Sequence, residues 1–541
     1  MNSLYTQKLY ASSNTTITDG GKNGHYTEAR AYNTQTYGDV MVNINKTFGD
    51  DWSLNANIGA SINNIKTDEL SYRGPIQENG LPNVFNVFDL DDTKKRAEKT
   101  GWHDQTQSLF ASVEVGWRQM LYLTVTGRND WASQLANSPS SSFFYPSVGL
   151  SWVPTSTWDL GEALSYLKIR GSIASVGMPF PRHLTIPTYE YDATNRVWKD
   201  KTHYPIGDLK PERTTTYEVG LDARLWQRIS LSASWYQADT KNQTFDPSLP
   251  PSSSYTTIYL QTGHVRNTGV ELSAGYDNQW RDFRWATNFT YSWNRNEIIE
   301  LAANAVNPVT GEPLNLNKLD IKGLGKAKYI LKEGGTLGDL YTTSDLRFND
   351  NGYIEVDKNG NLLLTDEGDD IYLGSVFPDH NLAWRNDFSW KGINLGVLFT
   401  ARIGGICYSA TQANMDLYGV SEASAAARDA GGVWINGREL VDAQKWYQAI
   451  GSQSGLPQYY TYSATNIRLQ ELSLGYTLPA KWFRDKMRMT VSFVGRNLWM
   501  IYCKAPFDPE AVASTGLNYQ GIDYFMMPSL RSLGFNVKFQ F

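Results

Sequence analysis

Apolar and polar residues alternate with a period of two along much of this chain. Segment 53–65 reads SLNANIGASINNI, with an apolar residue at every even-numbered position from Leu54 to Ile62. The last nine residues repeat the pattern, since Leu533 to Phe541 alternate large apolar side chains with polar or small ones. A surface helix would place its apolar residues at i, i+3 and i+4, and no long stretch does so. The pattern therefore predicts an all-β chain.

We predict about fifteen strands. Many are as long as the roughly 9–11 residues that a tilted strand needs to cross a bilayer, against roughly 5–6 in soluble sheets. The predicted strands cover residues 37–47, 53–65, 107–117, 120–128, 144–152, 166–175, 215–226, 229–239, 266–277, 284–294, 380–390, 393–402, 466–477, 487–495 and 530–541.

The links between these strands alternate between short and long along the whole chain. Short links fall at 48–52, 118–119, 153–165, 227–228, 278–283, 391–392 and 478–486. Long links fall at 66–106, 129–143, 176–214, 240–265, 295–379, 403–465 and 496–529. Alternate links of an up-and-down barrel lie on the same rim, and outer-membrane barrels have tight turns on one rim and long loops on the other. We therefore predict an antiparallel transmembrane β-barrel rather than a sandwich or a solenoid.

The two faces of the predicted strands fit that interpretation. The face opposite the apolar one carries charged residues that suit a polar lumen: Glu114, Lys168, Arg170, Glu218, Asp222, Arg224 and Glu271. Tryptophans at strand ends are expected to anchor the barrel at the headgroup level: Trp117, Trp152, Trp226, Trp280, Trp293 and Trp390.

Composition excludes several other classes of protein. No run reaches the roughly 20 apolar residues of a spanning helix, so a helical membrane protein is excluded. The net charge of −6 provides no basic surface for nucleic acid. Only two cysteines, Cys407 and Cys503, and six scattered histidines are present, which excludes a disulfide scaffold and a cysteine-based zinc site. No phosphate-binding loop or nucleophile elbow occurs, and we predict no enzyme activity and no cofactor.

The first residues do not read as the start of an exported protein. Met1 begins MNSLYTQKLYASSNTT, which lacks the basic and apolar regions of a signal peptide. Residues 3–11 suit the last part of a further strand that would precede segment 37–47. We therefore expect residues 1–541 to be the C-terminal part of a larger barrel whose first strands lie upstream.

Five segments in order resemble the C-terminal barrel of the SusC/RagA family of TonB-dependent outer-membrane transporters. They are DLKPERTTTYEVGLD at 208–222, NTGVE at 267–271, GSVFP at 374–378 followed by NDFSWKGINL, IRLQELSLGYTLP at 467–479, and GRNL at 495–498 through DPE at 508–510. The resemblance covers about 340 residues, from 208 to the end. No single segment is specific, but their order and spacing match.

The resemblance implies a 22-stranded barrel with an N-terminal plug, energy delivered through the TonB complex, and a SusD-like surface lipoprotein as lid. It implies import of oligosaccharides or peptides across the outer membrane of a Gram-negative cell. The plug, the TonB-contacting segment and the first barrel strands are not recognised in residues 1–541, so transport is expected of the parent protein.

Two kinds of local site are candidates. The acidic stretch 339–370 suggests weak calcium ligands, namely Asp357, Asp366, Asp369 and Asp370, or else an acidic pair of hairpins turning at 350–352 and 358–360. Loop aromatics are candidates for stacking on substrate, or for packing against a lid: Trp198, Tyr204, Trp434, Trp446, Tyr459 and Tyr460. The stretch 421–450 has the helix-like patches and is a candidate docking surface.

Two alternative functions stay open at this stage. A passive porin with a closed 16-stranded barrel would need only slightly more than the predicted strands. A surface carbohydrate-binding β protein would also account for the 18 Trp and 32 Tyr.

Overall fold

The structure is a computed structural model. It describes residues 2–11, 22–182, 184–185, 190–192, 197–199, 203–204, 209–245, 257–258, 260–301, 316, 318–365, 368–514, 516 and 519–541.

Within these residues, sixteen antiparallel strands form one sheet, and each strand pairs with its neighbours in chain order. The strands are β1 (Asn2–Leu9), β2 (His25–Phe48), β3 (Trp52–Pro75), β4 (Arg96–Trp117), β5 (Leu121–Ala132), β6 (Phe143–Trp152), β7 (Leu164–Met178), β8 (Glu212–Leu225), β9 (Ile229–Phe245), β10 (Leu260–Trp280), β11 (Phe283–Glu300), β12 (His380–Trp390), β13 (Ile393–Ile403), β14 (Asn466–Thr477), β15 (Arg488–Cys503) and β16 (Ser532–Gln540). The prediction of an all-β antiparallel barrel portion with 15–16 strands is confirmed.

Several strands are longer than predicted. Strand β2 begins at His25 rather than at residue 37, because residues 25–36 continue the ladder by pairing with residues 64–75 of β3. Polar residues lie on both faces of this additional segment, so the apolar alternation ends before the backbone pairing does. Strands β12 and β14 have the predicted bounds.

Cross-strand register keeps the two faces distinct. Leu221 pairs with Ala233, which pairs with Leu272, and all three side chains lie on one face. Leu221 is 39% and Leu272 is 43% exposed. Paired residues share a face, and a wide band of exposed leucine, valine and aromatic side chains is typical of a surface in contact with lipid.

The short links form one rim. They fall at 49–51, 118–120, 153–163, 226–228, 281–282, 391–392 and 478–487, as the alternation predicts. In the two-residue link between β12 and β13, Lys391 and Gly392 both have positive φ angles of 46° and 91°, the geometry of a type I′ hairpin turn. Trp52 and Trp117 pack together near this rim, with ring centroids 6.4 Å apart.

The long links form the opposite rim. The described parts fall within 10–24, 76–95, 133–142, 179–211, 246–259, 301–379, 404–465 and 504–531. No helix of the described residues is long and apolar enough to cross a membrane.

The long links contain short elements of their own. Three α-helices are present in the described chain: α1 (Ala410–Leu417), α2 (Glu422–Asp429) and α3 (Ala443–Ile450). Single-turn 3₁₀ helices occupy Val87–Asp89, Ser133–Leu135 and Pro457–Tyr460, and two others, Pro154–Ser156 and Ala480–Phe483, lie in short links. Short strands are Glu190–Asp192, Val197–Lys199, His203–Tyr204, Thr257–Ile258, Lys318–Leu324, Ala327–Lys332, Asp339–Thr342, Asp345–Leu346, Leu364–Thr365, Ile371–Ser375, Ile406–Ser409, Val433–Ile435, Glu439–Val441, Thr461–Ser463 and Ile522–Asp523.

Candidate functional site

Three of the long links fold together into what we call the loop subdomain, the described residues of 316–379, 404–465 and 504–531. They share one hydrophobic core, in which Tyr329, Tyr408, Leu456 and Ile522 are at most 1% exposed. Ile298, at the end of β11, joins the same core and is fully buried. The subdomain is therefore packed like a small domain and is continuous with the rim of the sheet.

Backbone pairing and a buried hydroxyl hold the three links to one another. In a small three-stranded sheet, Tyr408 pairs with Thr461 on one side and with Ile522 on the other. The Tyr329 hydroxyl donates a hydrogen bond to the Gln520 carbonyl. Each link thus contributes polar as well as apolar contacts to a shared structure.

A buried ion pair ties the subdomain to the wall of the sheet. Arg468 of β14 donates two hydrogen bonds to the Asp508 carboxylate, at 2.7 and 3.2 Å, and its side chain is 3% exposed. Glu510 lies 3.3 Å from the same guanidinium. Burial acts to raise the pKa of Asp508, but hydrogen bonds, foremost those from Arg468, outweigh it and lower that pKa below its ordinary value. Such a bidentate pair fixes orientation as well as charge.

Side-chain caps begin each of the three helices. The Ser409 hydroxyl accepts from the Gln412 amide at 3.0 Å and donates to Asp523 at 2.6 Å. Ser421 caps α2 in a capping box with Ser424, and Asp442 caps α3. The caps satisfy backbone N–H groups that the first turn of a helix leaves without partners.

The candidate substrate contacts fall into different environments. Trp434 is 66% exposed on the hairpin 433–441, and Tyr459 is 40% exposed. Trp446 is partly buried against the core, and its ring meets that of Tyr459 edge to face, with centroids 6.0 Å apart. Tyr460 is only 2% exposed inside the core. Substrate contact by Tyr460 is therefore corrected to a packing role.

Two further candidates lie in the link 179–211. Trp198 is 67% exposed on the strand Val197–Lys199. Tyr204 lies on the strand His203–Tyr204, and its side chain is outside the described part. Trp198, Trp434 and Tyr459 thus remain exposed candidates.

The candidate calcium ligands have local partners where they are described. Asp357 accepts from the backbone N–H groups of Asn359 and Asn361, both at 2.8 Å. These hydrogen bonds, first that from Asn361, lower the pKa of Asp357. Asp366 lies outside the described residues, and the described residues hold no group of three or more metal-ligating side chains.

Asp370 is held by two lysines. Lys332 and Lys318 lie 2.9 and 3.1 Å from its carboxylate. Burial acts to raise the pKa of Asp370, but the hydrogen bonds from these lysines outweigh it and lower that pKa. Asp369, its neighbour, belongs to no group of three or more His, Cys, Asp or Glu side chains that could hold a metal ion in the described part of the chain.

The acidic stretch forms hairpins, as the alternative interpretation holds. Residues 345–346 pair with 364–365, and Phe348 bridges to Ile354. Gly352 and Gly360 have positive φ angles of 76° and 75°, whereas the asparagines before them do not. Glycine alone therefore supplies the left-handed conformation in each turn.

The polar face of the sheet carries fixed ion pairs. Arg170 on β7 contacts Glu218 at 3.0 Å and Asp222 at 2.9 Å on β8. Arg385 on β12 contacts Glu471 on β14 at 3.2 Å. These networks place charges of both signs on the polar face of the sheet.

Helix α1 and the carboxylate of Asp416 within it were missed by the sequence analysis. Asp416 is 5% exposed and receives hydrogen bonds from Gln412 and Ser421. The available signal was Ser409 followed three residues later by Gln412, a capping-box pattern that marks a helix start.

Comparison with known proteins defines the class. Residues 2–398 match the family described as "TonB dependent receptor-like, beta-barrel". The chain belongs to this family, and the resemblance to SusC/RagA transporters is confirmed. It is 25% identical over 97% of its length to TonB-dependent receptor P3 of Formosa agariphila, and 22% identical over 69% to TonB-dependent receptor SusC of Bacteroides thetaiotaomicron.

A solved structure titled "Structure of the RagAB peptide transporter" has the same fold, with a TM-score of 0.73 at 18% identity over 99% of this chain and 58% of that chain. The chain spans 54% of receptor P3 and 38% of SusC, about half or less of the relatives it matches.

Proposed function

We propose that the protein containing this chain imports nutrients actively across the outer membrane, with energy from the TonB complex. The observation that carries the proposal is the sixteen-stranded antiparallel sheet with one apolar, exposed face and one ion-paired polar face, in a chain of this family. The apolar face contacts outer-membrane lipid, and each strand crosses the bilayer. The polar face lines the lumen.

The loop subdomain supports gated import over passive diffusion. A general pore needs an open mouth, whereas three of the long links here fold around a common core on the rim. The hairpin 433–441 packs Ile435 and Val441 into the core and leaves Trp434 exposed, so its outer side suits contact with a SusD-like lipoprotein lid. The SusC/RagA resemblance is what implies such a lid.

Oligosaccharides or peptides are the proposed substrates. Exposed Trp198, Trp434 and Tyr459 offer flat rings that stack on sugar faces. One structural relative is titled a peptide transporter. Uptake of both oligosaccharides and peptides is therefore tested.

The test is a deletion of the gene that encodes this chain, in its own bacterium. Uptake of labelled oligosaccharides and of labelled peptides is measured in the parent strain, the deletion strain and the complemented strain. We expect uptake of one class to fall with deletion, and to fall equally when TonB is removed or the proton gradient is dissipated.

Uptake that depends on the gene but not on TonB would instead identify a passive porin. Binding of carbohydrate to the cell surface with no change in uptake would identify a surface carbohydrate-binding protein.

A further inference from the structure

A small cavity lies among the three helices of the loop subdomain. Its volume is about 210 Å³, and its lining includes Asp416, Tyr418, Arg428, Gln444 and Tyr447. Pockets for whole drug-sized ligands are roughly 300–1,000 Å³, so a cavity of this size accommodates the end of a longer molecule.

Asp416 lines this cavity, and its carboxylate has no cationic partner among the described residues. It is 5% exposed, and its hydrogen bonds come from two neutral donors, the Gln412 amide at 3.1 Å and the Ser421 hydroxyl. The hydroxyl of Tyr460 is also close, and burial together with the charge of Asp416 raises the pKa of Tyr460. No lysine, arginine or histidine of the described chain forms a salt bridge with Asp416. A buried charge is costly unless it is paired, so the site favours a cation.

Arg428 supplies the opposite charge on the cavity wall, where it is exposed. The Arg428 guanidinium donates one hydrogen bond to the Gly419 carbonyl at 2.6 Å and makes no salt bridge within the described part of the chain. A guanidinium has five N–H donors and no acceptor, so Arg428 favours a carbonyl, carboxylate or hydroxyl oxygen. Tyr418 and Tyr447 also line the cavity.

We propose that this cavity binds the end of a ligand that carries a primary ammonium group next to a hydrogen-bond acceptor. The ammonium lies against Asp416, and the acceptor takes hydrogen bonds from Arg428 and Gln444. Two sources have this chemistry, the N-terminus of a peptide and an amino sugar. The role of the site in selecting a transported molecule rests on the proposed function, but the binding itself does not.

The test uses matched pairs of probes in which N-acetylation removes the charge of the amine and adds an acetyl group. Alanyl-alaninamide and its N-acetylated form represent peptides, and glucosamine and N-acetylglucosamine represent amino sugars. Binding to the purified full chain in detergent is measured by isothermal titration calorimetry. We expect at least one free amine to bind at least about tenfold more tightly than its acetylated form. The pair that shows the difference identifies the source.

Asp416→Asn keeps the acceptor for Ser421 and removes the charge, so binding of the free amine is expected to weaken at least about tenfold. Asp429→Asn removes an exposed carboxylate from the end of α2 and is the matched control, with unchanged binding expected. Tyr418 is 76% exposed, so Tyr418→Ala alters the cavity wall with little effect on the stability of the fold. This substitution is expected to weaken binding several-fold.

Equal affinity for free and acetylated probes, absence of binding by all four, or equal effects of the Asp416 and Asp429 substitutions would overturn the proposal. TonB-dependent uptake with no amine binding would overturn this site alone and leave the proposed function standing. Amine binding without gene-dependent uptake would do the reverse.

Discussion

The ion pair between Arg468 and Asp508 leads to a quantitative prediction. Asp508→Asn removes the carboxylate that accepts two hydrogen bonds from the Arg468 guanidinium, whose side chain is 3% exposed. Breaking one partner of a buried pair costs about 3–5 kcal/mol. Glu510, at 3.3 Å, and Asn466, which accepts from Arg468 at 2.8 Å, remain, so we expect the lower end, about 3 kcal/mol.

Hydrogen exchange followed by mass spectrometry measures this cost locally. Exchange through local opening depends on the free energy of opening, and about 1.4 kcal/mol corresponds to a factor of ten. Amides of 406–409, 461–463 and 522–523 are therefore expected to exchange about a hundredfold faster in the variant. Strands on the far side of the sheet, such as β3, should keep their rates.

The matched control is Asp277→Asn. Asp277 also makes two hydrogen bonds to an arginine, Arg284, at 2.9 and 2.5 Å, but both side chains are about half exposed. Exposed pairs contribute about 0–1 kcal/mol, so exchange near β10 and β11 should rise by less than about fivefold. Equal effects of the two substitutions, or no acceleration in the loop subdomain after Asp508→Asn, would refute the view that burial gives this pair its strength.

Three other predictions concern the same subdomain. Because the folded-state pKa of Asp508 is lowered, its contribution to stability is present at pH values above the ordinary aspartate pKa of about 4. That contribution is lost as the pH falls through the folded-state pKa. Near-ultraviolet circular dichroism should therefore show an acid destabilisation that Asp508→Asn reduces. Gly334 has a φ of 80° and open space around it, so Gly334→Ala should cost about 1 kcal/mol in urea unfolding. Gly325 has a φ of 62° and lies against a backbone carbonyl, so Gly325→Ala should destabilise the subdomain by more. Trp434→Ala should change the free energy of unfolding by less than about 0.5 kcal/mol because the ring is exposed. Trp446→Ala should cost about 3 kcal/mol because core packing is lost. A large effect at Trp434 would contradict its assignment as a free contact surface.

The sheet was predictable from the sequence because its determinants are local. Alternation within 380–390 and 466–477 defines both faces of β12 and β14, and the bounds agree with the structure. The parity of short and long links then orders the strands without any knowledge of distant contacts. Strand β2 was underestimated because the backbone pairing of residues 25–36 continues beyond the apolar pattern.

The loop subdomain was not predictable in the same way. Its core joins residues far apart in the chain, such as Tyr329 and Gln520, and no local periodicity reports such a contact. Tyr460 illustrates the difficulty, since an aromatic residue in a long link is equally compatible with exposure and with burial. Its 2% exposure follows from packing that only the assembled links create.

The shared core of the loop subdomain limits how such a protein can diversify. A loop that stands alone on a barrel rim can change its length by insertion at little cost. Here a deletion in 404–465 would also strip neighbours from Tyr329 and Ile522, which belong to other links. New recognition properties are therefore expected to arise by point substitution at exposed positions such as Tyr418 and Trp434, while the lengths of the three links change together or not at all.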